Sequence, residues 1–541
     1  MNMKRITVLG LSLMMAAIAT TATAQTKSFK IGQWTEINNA ILNELNRSYV
    51  DSLPLDRIEK AGIQAMLESL DPYTVYIPEE DNEDLQLMIA KTYGGIGAII
   101  YKPEKDGNVI INEPYKDSPA DRNGLRCGDE ILEIDGISTH GLTTQEASDR
   151  MKGKPGTTVK FKVQKVRTGE IVEIDVVRER IHLPDVEYAG MLDGTTGYIY
   201  QSGFTQNVSN DIRNAVLKLK AEGMEKLVLD LRGNGGGLMS EAIDIVSLFV
   251  PKGSLVVSQK GLAEGSEAQF KTKYDPIDTQ IPIIVMVDSG SASASEIVSG
   301  ALQDLDRATI CGTRTFGKGL VQSIRPLPYN GQLKVTIAKY YTPSGRCVQA
   351  IDYSHRNEDG SVGQIPDSLT HEFKTAHGRT VRDGGGITPD HIIEGHDYSR
   401  LTYSLVTAGI IQNYAIEFAR KHESVEEDFH LTDEMWNDFV EYAQTQTFDY
   451  RSSAMTLLDM MKKELEQDGL SEAVAEQTAA LQKALEMDKK TFLNLKRSEI
   501  QPFIEEEIVV RYHFQEAGIK IRLRYDDQLR EALTKPLVTL N

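Results

Sequence analysis

The stretch Gly290-Ser291-Ala292-Ser293-Ala294-Ser295-Glu296-Ile297 follows the apolar run Ile283-Ile284-Val285-Met286-Val287 and precedes a helical pattern of Ile297, Val298, Ala301 and Leu302. A buried strand that runs through small residues into a helix is the repeating unit of an α/β core. It is also good geometry for a nucleophile. Small neighbours admit a substrate backbone, and the unpaired N–H groups of a first helical turn favour developing negative charge. Serines also cap helices, so this block alone does not single out catalysis. No Gly-x-Ser-x-Gly elbow surrounds Ser293.

Downstream lies Thr315-Phe316-Gly317-Lys318-Gly319-Leu320-Val321-Gln322. A lysine between two glycines on an apolar background is unlike a solvated surface lysine. Burial would disfavour its charged form and lower its pKa, as a lysine general base requires. Gln322, four residues on, is placed to orient the amine. Upstream, Leu229-Asp230-Leu231-Arg232 runs into Gly233-Asn234-Gly235-Gly236-Gly237, and residues 241–250 then read as a helix. Such glycines let backbone N–H groups converge on an anion, as in an oxyanion hole. A dinucleotide loop is excluded because Leu238 stands where that fingerprint needs a final glycine or alanine.

The wider chain is multidomain. Its 541 residues exceed one core. Residues 185–400 read as α/β. From about Tyr93 to Arg180 the texture is short β pieces: Val159, Phe161 and Val163 alternate with polar residues, as do Val172, Ile174 and Val176, with a turn at Arg167-Thr168-Gly169. A helix among them is opened by Thr143 with Glu146 at capping-box spacing. Residues 26–90 look helical, on Ile37, Ile41 and Leu45, then Ile58, Ala61, Ala65 and Leu70. Beyond residue 400, Tyr403, Val406, Ile410, Tyr414 and Phe418 predict one helical face.

The formal net charge of −20, with no basic run, excludes nucleic acid as a partner. Lys4 and Arg5, an apolar run over residues 6–19 and Ala22-Thr23-Ala24 predict a cleaved export signal over 1–24. That run is shorter than the ~20 residues needed to span a bilayer, and no later stretch is apolar enough to do so. Cys127, Cys311 and Cys347 are too few for a disulfide framework and spaced unlike a metal site. Buried free thiols are expected, with a single disulfide as the alternative. There is no His-Glu-x-x-His motif, since His371-Glu372 has its next histidine at His377.

The three blocks, in this order, resemble the carboxyl-terminal processing (tail-specific) protease family. That resemblance implies a crotonase/ClpP-like Ser–Lys protease core with a PDZ domain. The expected layout is 25–90 N-terminal helices, 91–180 PDZ, 181–400 core and 401–541 C-terminal helical region. It implies Ser293 as nucleophile, Lys318 as base, Gln322 as its orienting amide, and no metal or cofactor. The oxyanion donors would be Ala294 with either Gly236 or Gly237. Leu70-Asp71-Pro72-Tyr73 and Gly386-Ile387-Thr388-Pro389-Asp390 also resemble family signatures. The PDZ reading stands on Tyr93-Gly94-Gly95-Ile96-Gly97, similar to a carboxylate-binding loop, and on Gly124-Leu125-Arg126-Cys127-Gly128-Asp129 with Ile131-Leu132-Glu133-Ile134-Asp135-Gly136. Gly94, Gly95, Ile96 and Gly97 would receive the free C-terminus of a protein or peptide substrate, added as a strand. The expectation is an exported serine endopeptidase, periplasmic or secreted, whose helical tail offers a surface for a homodimer. Other readings are a PDZ adaptor with an inactive core and a histidine-assisted serine hydrolase.

Overall fold

The computed structural model describes residues 27–103, 106–357 and 361–538. The expected export signal lies outside them. Two units divide the chain, Met1–Tyr76 and Ile77–Asn541. In the first, a helix over residues 27–48 and the helix Leu55–Glu68 lead to a turn held by Asp71. Its carboxylate accepts from Tyr73 N–H and Thr74 N–H, both at 2.8 Å, and from Thr74 Oγ1 at 3.0 Å. That is a local reason for Asp-Pro-Tyr-Thr at this point.

In the second unit, a β module is inserted through a two-stranded neck. Thr92–Gly95 pairs antiparallel with Glu179–His182, Thr92 opposite His182 and Gly95 opposite Glu179. Inside, the strands run in the order Ala98–Tyr101, Val109–Pro114, Glu130–Ile134, Thr158–Gln164, Ile171–Val177. Val159, Phe161 and Val163 all enter one core with Ile111, Leu125 and Ile134. The alternation in the sequence is thus the buried face of a half-exposed strand. Helix Thr144–Met151 carries the capping box of Thr143 and Glu146.

The main sheet runs Val186–Met191, Thr196–Gln201, Lys226–Asp230, Ile283–Val287, Thr309–Gly312, His391–Ile392. Its first pair is antiparallel and the others are parallel. Successive side chains leave opposite faces of a strand. Leu227, Leu229, Ile283, Val285 and Val287 accordingly pack with the helices Val208–Ala221, Met239–Ser247 and Ala294–Asp304. Val228, Ile284, Met286 and Cys311 face the other way and pack with Ile519, Leu529 and Ala532. The expected boundary at residue 400 therefore marks a change from sheet to helix, but the hydrophobic core continues across it. Val538 N–H also reaches Thr309 Oγ1 at 2.7 Å.

The tail has its own core around Tyr414, Phe418, Trp436, Phe439 and Ile508. The single apolar face expected from Tyr403 to Phe418 is not continuous. Helix Arg400–Thr407 stops, Gly409 takes φ +67°, and a new helix runs Ile410–Lys421. Leu401 and Leu405 are buried in the first helix, while Tyr403 and Val406 are exposed. A glycine with positive φ resets the helical phase. The helix Arg497–Arg524 is similarly interrupted at Phe514, with φ 64° and ψ 178°. No helix among the described residues is long and apolar enough to cross a membrane.

Candidate active site

Strands Lys226–Asp230 and Ile283–Val287 are parallel neighbours, with Asp230 opposite Met286. Their C-terminal ends therefore deliver two turns side by side, at the edge where open α/β sheets gather their ligands. Asp288 staples the turns together. Its Oδ1 accepts from Gly290 N–H at 2.9 Å and Ser291 N–H at 3.1 Å in its own turn, and from Gly233 N–H at 2.8 Å in the other.

The three serines separate here. Ser291 Oγ donates to Leu231 O at 2.7 Å and Ser295 Oγ to Asn234 O at 2.8 Å, both fully buried. They satisfy carbonyls of the glycine turn. Ser293 between them is only partly buried and adopts φ 57°, ψ −109°. A non-glycine residue in that region is strained, and such strain is concentrated at functional sites. The sequence lacks the elbow motif, yet the backbone makes an elbow. Ser291 and Ser295 occupy the positions where the motif has glycines.

The lysine turn is bound to the same point through Glu296. One oxygen, Oε2, accepts from Ser293 N–H and Lys318 N–H, each at 2.8 Å. The other, Oε1, accepts from Thr315 Oγ1 at 2.7 Å and Gly317 N–H at 2.8 Å. Burial pushes the Glu296 carboxyl up from its ordinary pKa, while these bonds from Thr315, Lys318, Ser293 and Gly317 pull it down. All four contacts come from donors, which suits a carboxylate. The sequence signal for this residue is the capping-box spacing of Ser293 and Glu296. Phe316 N–H adds a bond to Ser291 O at 3.0 Å, and Tyr340 OH donates to Ser293 O at 3.1 Å.

Lys318 is partly rather than fully buried. Gly317 on its N-terminal side takes φ +86°, and a β-carbon there would lie 2.4 Å from that of Ala350. Gln322 sits on strand Leu320–Pro326, after a bulge between Val321 and Gln322. Lys318 precedes the strand, so the bulge and not the four-residue spacing sets the face that Gln322 takes. Its amide donates to Leu320 O and Thr336 Oγ1, both at 3.3 Å.

The glycine turn meets the serine turn closely. A β-carbon at Gly236 would lie 2.9 Å from both Ala294 N and Ser293 Cβ. Gly236 N–H donates to Asn234 Oδ1 at 2.9 Å. In the inserted module, Gly94 and Gly95 belong to the neck strand, leaving Ile96 and Gly97 as the turn. Ile96 O accepts from Ala120 N–H, and Gly97 O from Tyr115 N–H and Ser118 Oγ. The adjoining strand Ala98–Tyr101 lies at the edge of its sheet. Among the described residues no group of three His, Cys, Asp or Glu side chains is placed to hold a metal ion. No cysteine is paired. Burial pushes the thiols of Cys127 and Cys311 up to about 11 and about 12.

Residues 195–354 match the profile described as "Peptidase family S41", residues 110–165 a PDZ domain, and residues 401–535 "Probable PDZ-protease, C-terminal helical domain". The chain is 37% identical over 316 residues to a carboxy-terminal-processing protease of Bartonella bacilliformis, covering 58% of this chain and 71% of that protein. The chain belongs to peptidase family S41. It is 36% identical over 308 residues to a "Probable CtpA-like serine protease" of Staphylococcus aureus, covering 56% of this chain and 60% of that one. Among solved structures it is similar to a photosystem II D1 C-terminal processing protease, at 26% identity and TM-score 0.35, covering 65% of this chain and 86% of the other. This S41 member is a serine peptidase of the carboxy-terminal-processing type, with a PDZ domain, N-terminal helices and a C-terminal helical domain.

Proposed function

We propose that this chain is an exported endopeptidase that cleaves proteins recognised by their C-termini, with Ser293 as nucleophile and Lys318 as general base. The observation that carries the reading is Glu296, whose carboxylate fastens the Ser293 and Lys318 backbones to one point at 2.8 Å each. A neutral Lys318 amine takes the Ser293 Oγ proton as that oxygen bonds to the substrate carbonyl carbon. The carbonyl oxygen becomes the oxyanion, bound by Ala294 N–H and, because Gly236 N–H is given to Asn234, by Gly237 N–H. The C–N bond then breaks, and the lysine ammonium protonates the leaving amine. Water repeats the cycle on the acyl-enzyme and frees the acid. Gln322 holds the amine's orientation.

The PDZ module delivers substrate. Ala98–Tyr101 has one strand neighbour, so an extended peptide can add along its other edge. The Ile96–Gly97 turn, its carbonyls directed inward, offers N–H groups to the terminal carboxylate. Residues 1–24 direct export to the periplasm or the medium.

Trapping of the acyl-enzyme tests the chemistry. Wild type should form a Ser293 ester with an activated substrate in single-turnover mass spectrometry. Lys318→Arg should form none, since a guanidinium cannot accept the proton. Substantial acylation of Lys318→Arg, with activity lost instead on replacing one histidine, would transfer the base role to that histidine.

A further inference from the structure

The glycine turn after Lys226–Asp230 is anchored on the sheet side by Asp288 and by Ser291, Ala292 and Ser295. A further anchor comes from far away in sequence, on the opposite face. Asp230 accepts Arg232 N–H at 3.0 Å and the Arg232 guanidinium Nε at 3.0 Å, and Tyr198 OH at 2.7 Å. The outer edge of the same guanidinium is taken by the tail. Arg232 Nη2 pairs with Asp526 Oδ2 at 2.5 Å, and Nη1 donates to Gln528 Oε1 at 2.8 Å. Asp526 is itself fixed as the N-cap of helix Asp527–Thr534, accepting Leu529 N–H at 2.8 Å. Gln528 is fixed by donating to Ile393 O at 2.6 Å. Leu529 and Ala532 are buried against the sheet, so this clamp has a rigid base.

We propose that Asp526 is a positioning residue for the peptidase reaction, acting through Arg232 to hold the oxyanion-binding turn at residues 233–237. This rests on assigning that turn to the oxyanion, as proposed above. A fork between two carboxylates fixes a guanidinium in both position and plane. Arg232 adjoins the turn and shares its Asp230 anchor with its own backbone N–H. Loss of the outer carboxylate frees the arginine to rotate and the turn to relax. Displacement of oxyanion donors by a fraction of an ångström weakens transition-state binding and leaves ground-state binding intact.

Asp526→Asn tests this on the full-length protein, because asparagine caps a helix as well as aspartate does. The expected result is a kcat lower by roughly tenfold or more, with KM within about twofold of wild type. A peptide boronate, which occupies the oxyanion site as a tetrahedral adduct, should weaken by the same factor. Arg232→Lys should repeat the pattern, and the exposed neighbour variant Asp527→Asn should not. A kcat within about twofold of wild type in a folded Asp526→Asn, or a kcat loss with unchanged boronate affinity, overturns the proposal. If Asp526→Asn does not fold, Arg232→Lys decides by the same two criteria. Ser293→Ala run alongside separates the two claims. Residual cleavage there refutes the nucleophile assignment itself, whereas an inert Ser293→Ala beside a fully active Asp526→Asn refutes only the clamp.

Discussion

The two faces of the main sheet are built from alternate residues of the same strands, and they are covered by different stretches of chain. Leu227, Leu229 and Val285 meet helices that follow within the same α/β stretch. Val228, Ile284 and Met286 meet Ile519, Leu529 and Ala532 of the helical tail. The first face holds the reactive turns, because each strand runs directly into its turn and then into a covering helix. The second face supplies support from a distance and touches the chemistry through Arg232 alone among the contacts described above. A sheet can thus keep chemistry on local connections and stability on remote ones.

If that division holds, substitutions on the two faces should fail differently. The largest effect is expected for Ser293→Ala, which should lower cleavage by roughly four orders of magnitude or more while leaving the melting transition in place. Its neighbours provide the contrast. Ser291→Ala and Ser295→Ala should retain cleavage and lose about 0.5–1.5 kcal/mol of stability each, because each removes one buried hydrogen bond while Leu231 O and Asn234 O keep the backbone donors Asn234 N–H and Ala292 N–H. Peptide hydrolysis and thermal melts on the three variants decide it, and an inert Ser291→Ala would mean that the wrong serine has been chosen.

Glu296→Ala comes next and should affect both properties. Three N–H groups and the Thr315 hydroxyl lose their acceptor, and the serine and lysine turns lose their common tether. Activity should fall by about 10² and stability by roughly 3 kcal/mol. Normal kcat in a folded Glu296→Ala would show that the tether is dispensable. On the tail face, Ile519→Ala, outside the clamp, should cost about 2–4 kcal/mol in denaturant unfolding, with kcat of the folded fraction nearly unchanged. A large kcat loss there would erase the distinction between the faces.

The effect smallest in activity concerns the contact between tail and PDZ module. Glu113 is buried at this junction, accepting from Gln515, with Arg511 and Glu507 nearby. Burial pushes its carboxyl up to about 7, against the pull of Gln515 and Arg511. The native state therefore favours the protonated form. The stabilisation is complete below about pH 4.5 and is lost as pH rises through about 7. Glu113→Gln should be more stable than wild type at pH 8, by up to ~3 kcal/mol, and equal to it near pH 4. Urea midpoints that shift in parallel across this range would rule out Glu113 as the titrating group.

What was legible in the sequence follows the same geography. The strand runs at 226–231 and 283–287, the turns beyond them, the Thr143 capping box and the PDZ alternation were readable because each is decided within a dozen residues. The break at Gly409 is hidden in the sequence because apolar spacing on either side of it keeps one phase. Glu296 stands within the serine motif, but its role depends on Thr315, Gly317 and Lys318 arriving from a separate turn. Nothing near Asp526 announces Arg232, and no local pattern can encode a contact between residues so far apart.

Placement of the sheet's second cover in the tail also fixes an order of events during synthesis. Ser293 is made roughly 230 residues before Leu529, an interval on the order of tens of seconds at ribosomal speed. Throughout it, Val228, Ile284 and Met286 lack the tail residues Leu529 and Ala532 that cover them in the finished fold. The same delay keeps Arg232 without its outer carboxylate. A chain cut short before residue 526 therefore lacks both the second cover of its sheet and the outer carboxylate on Arg232.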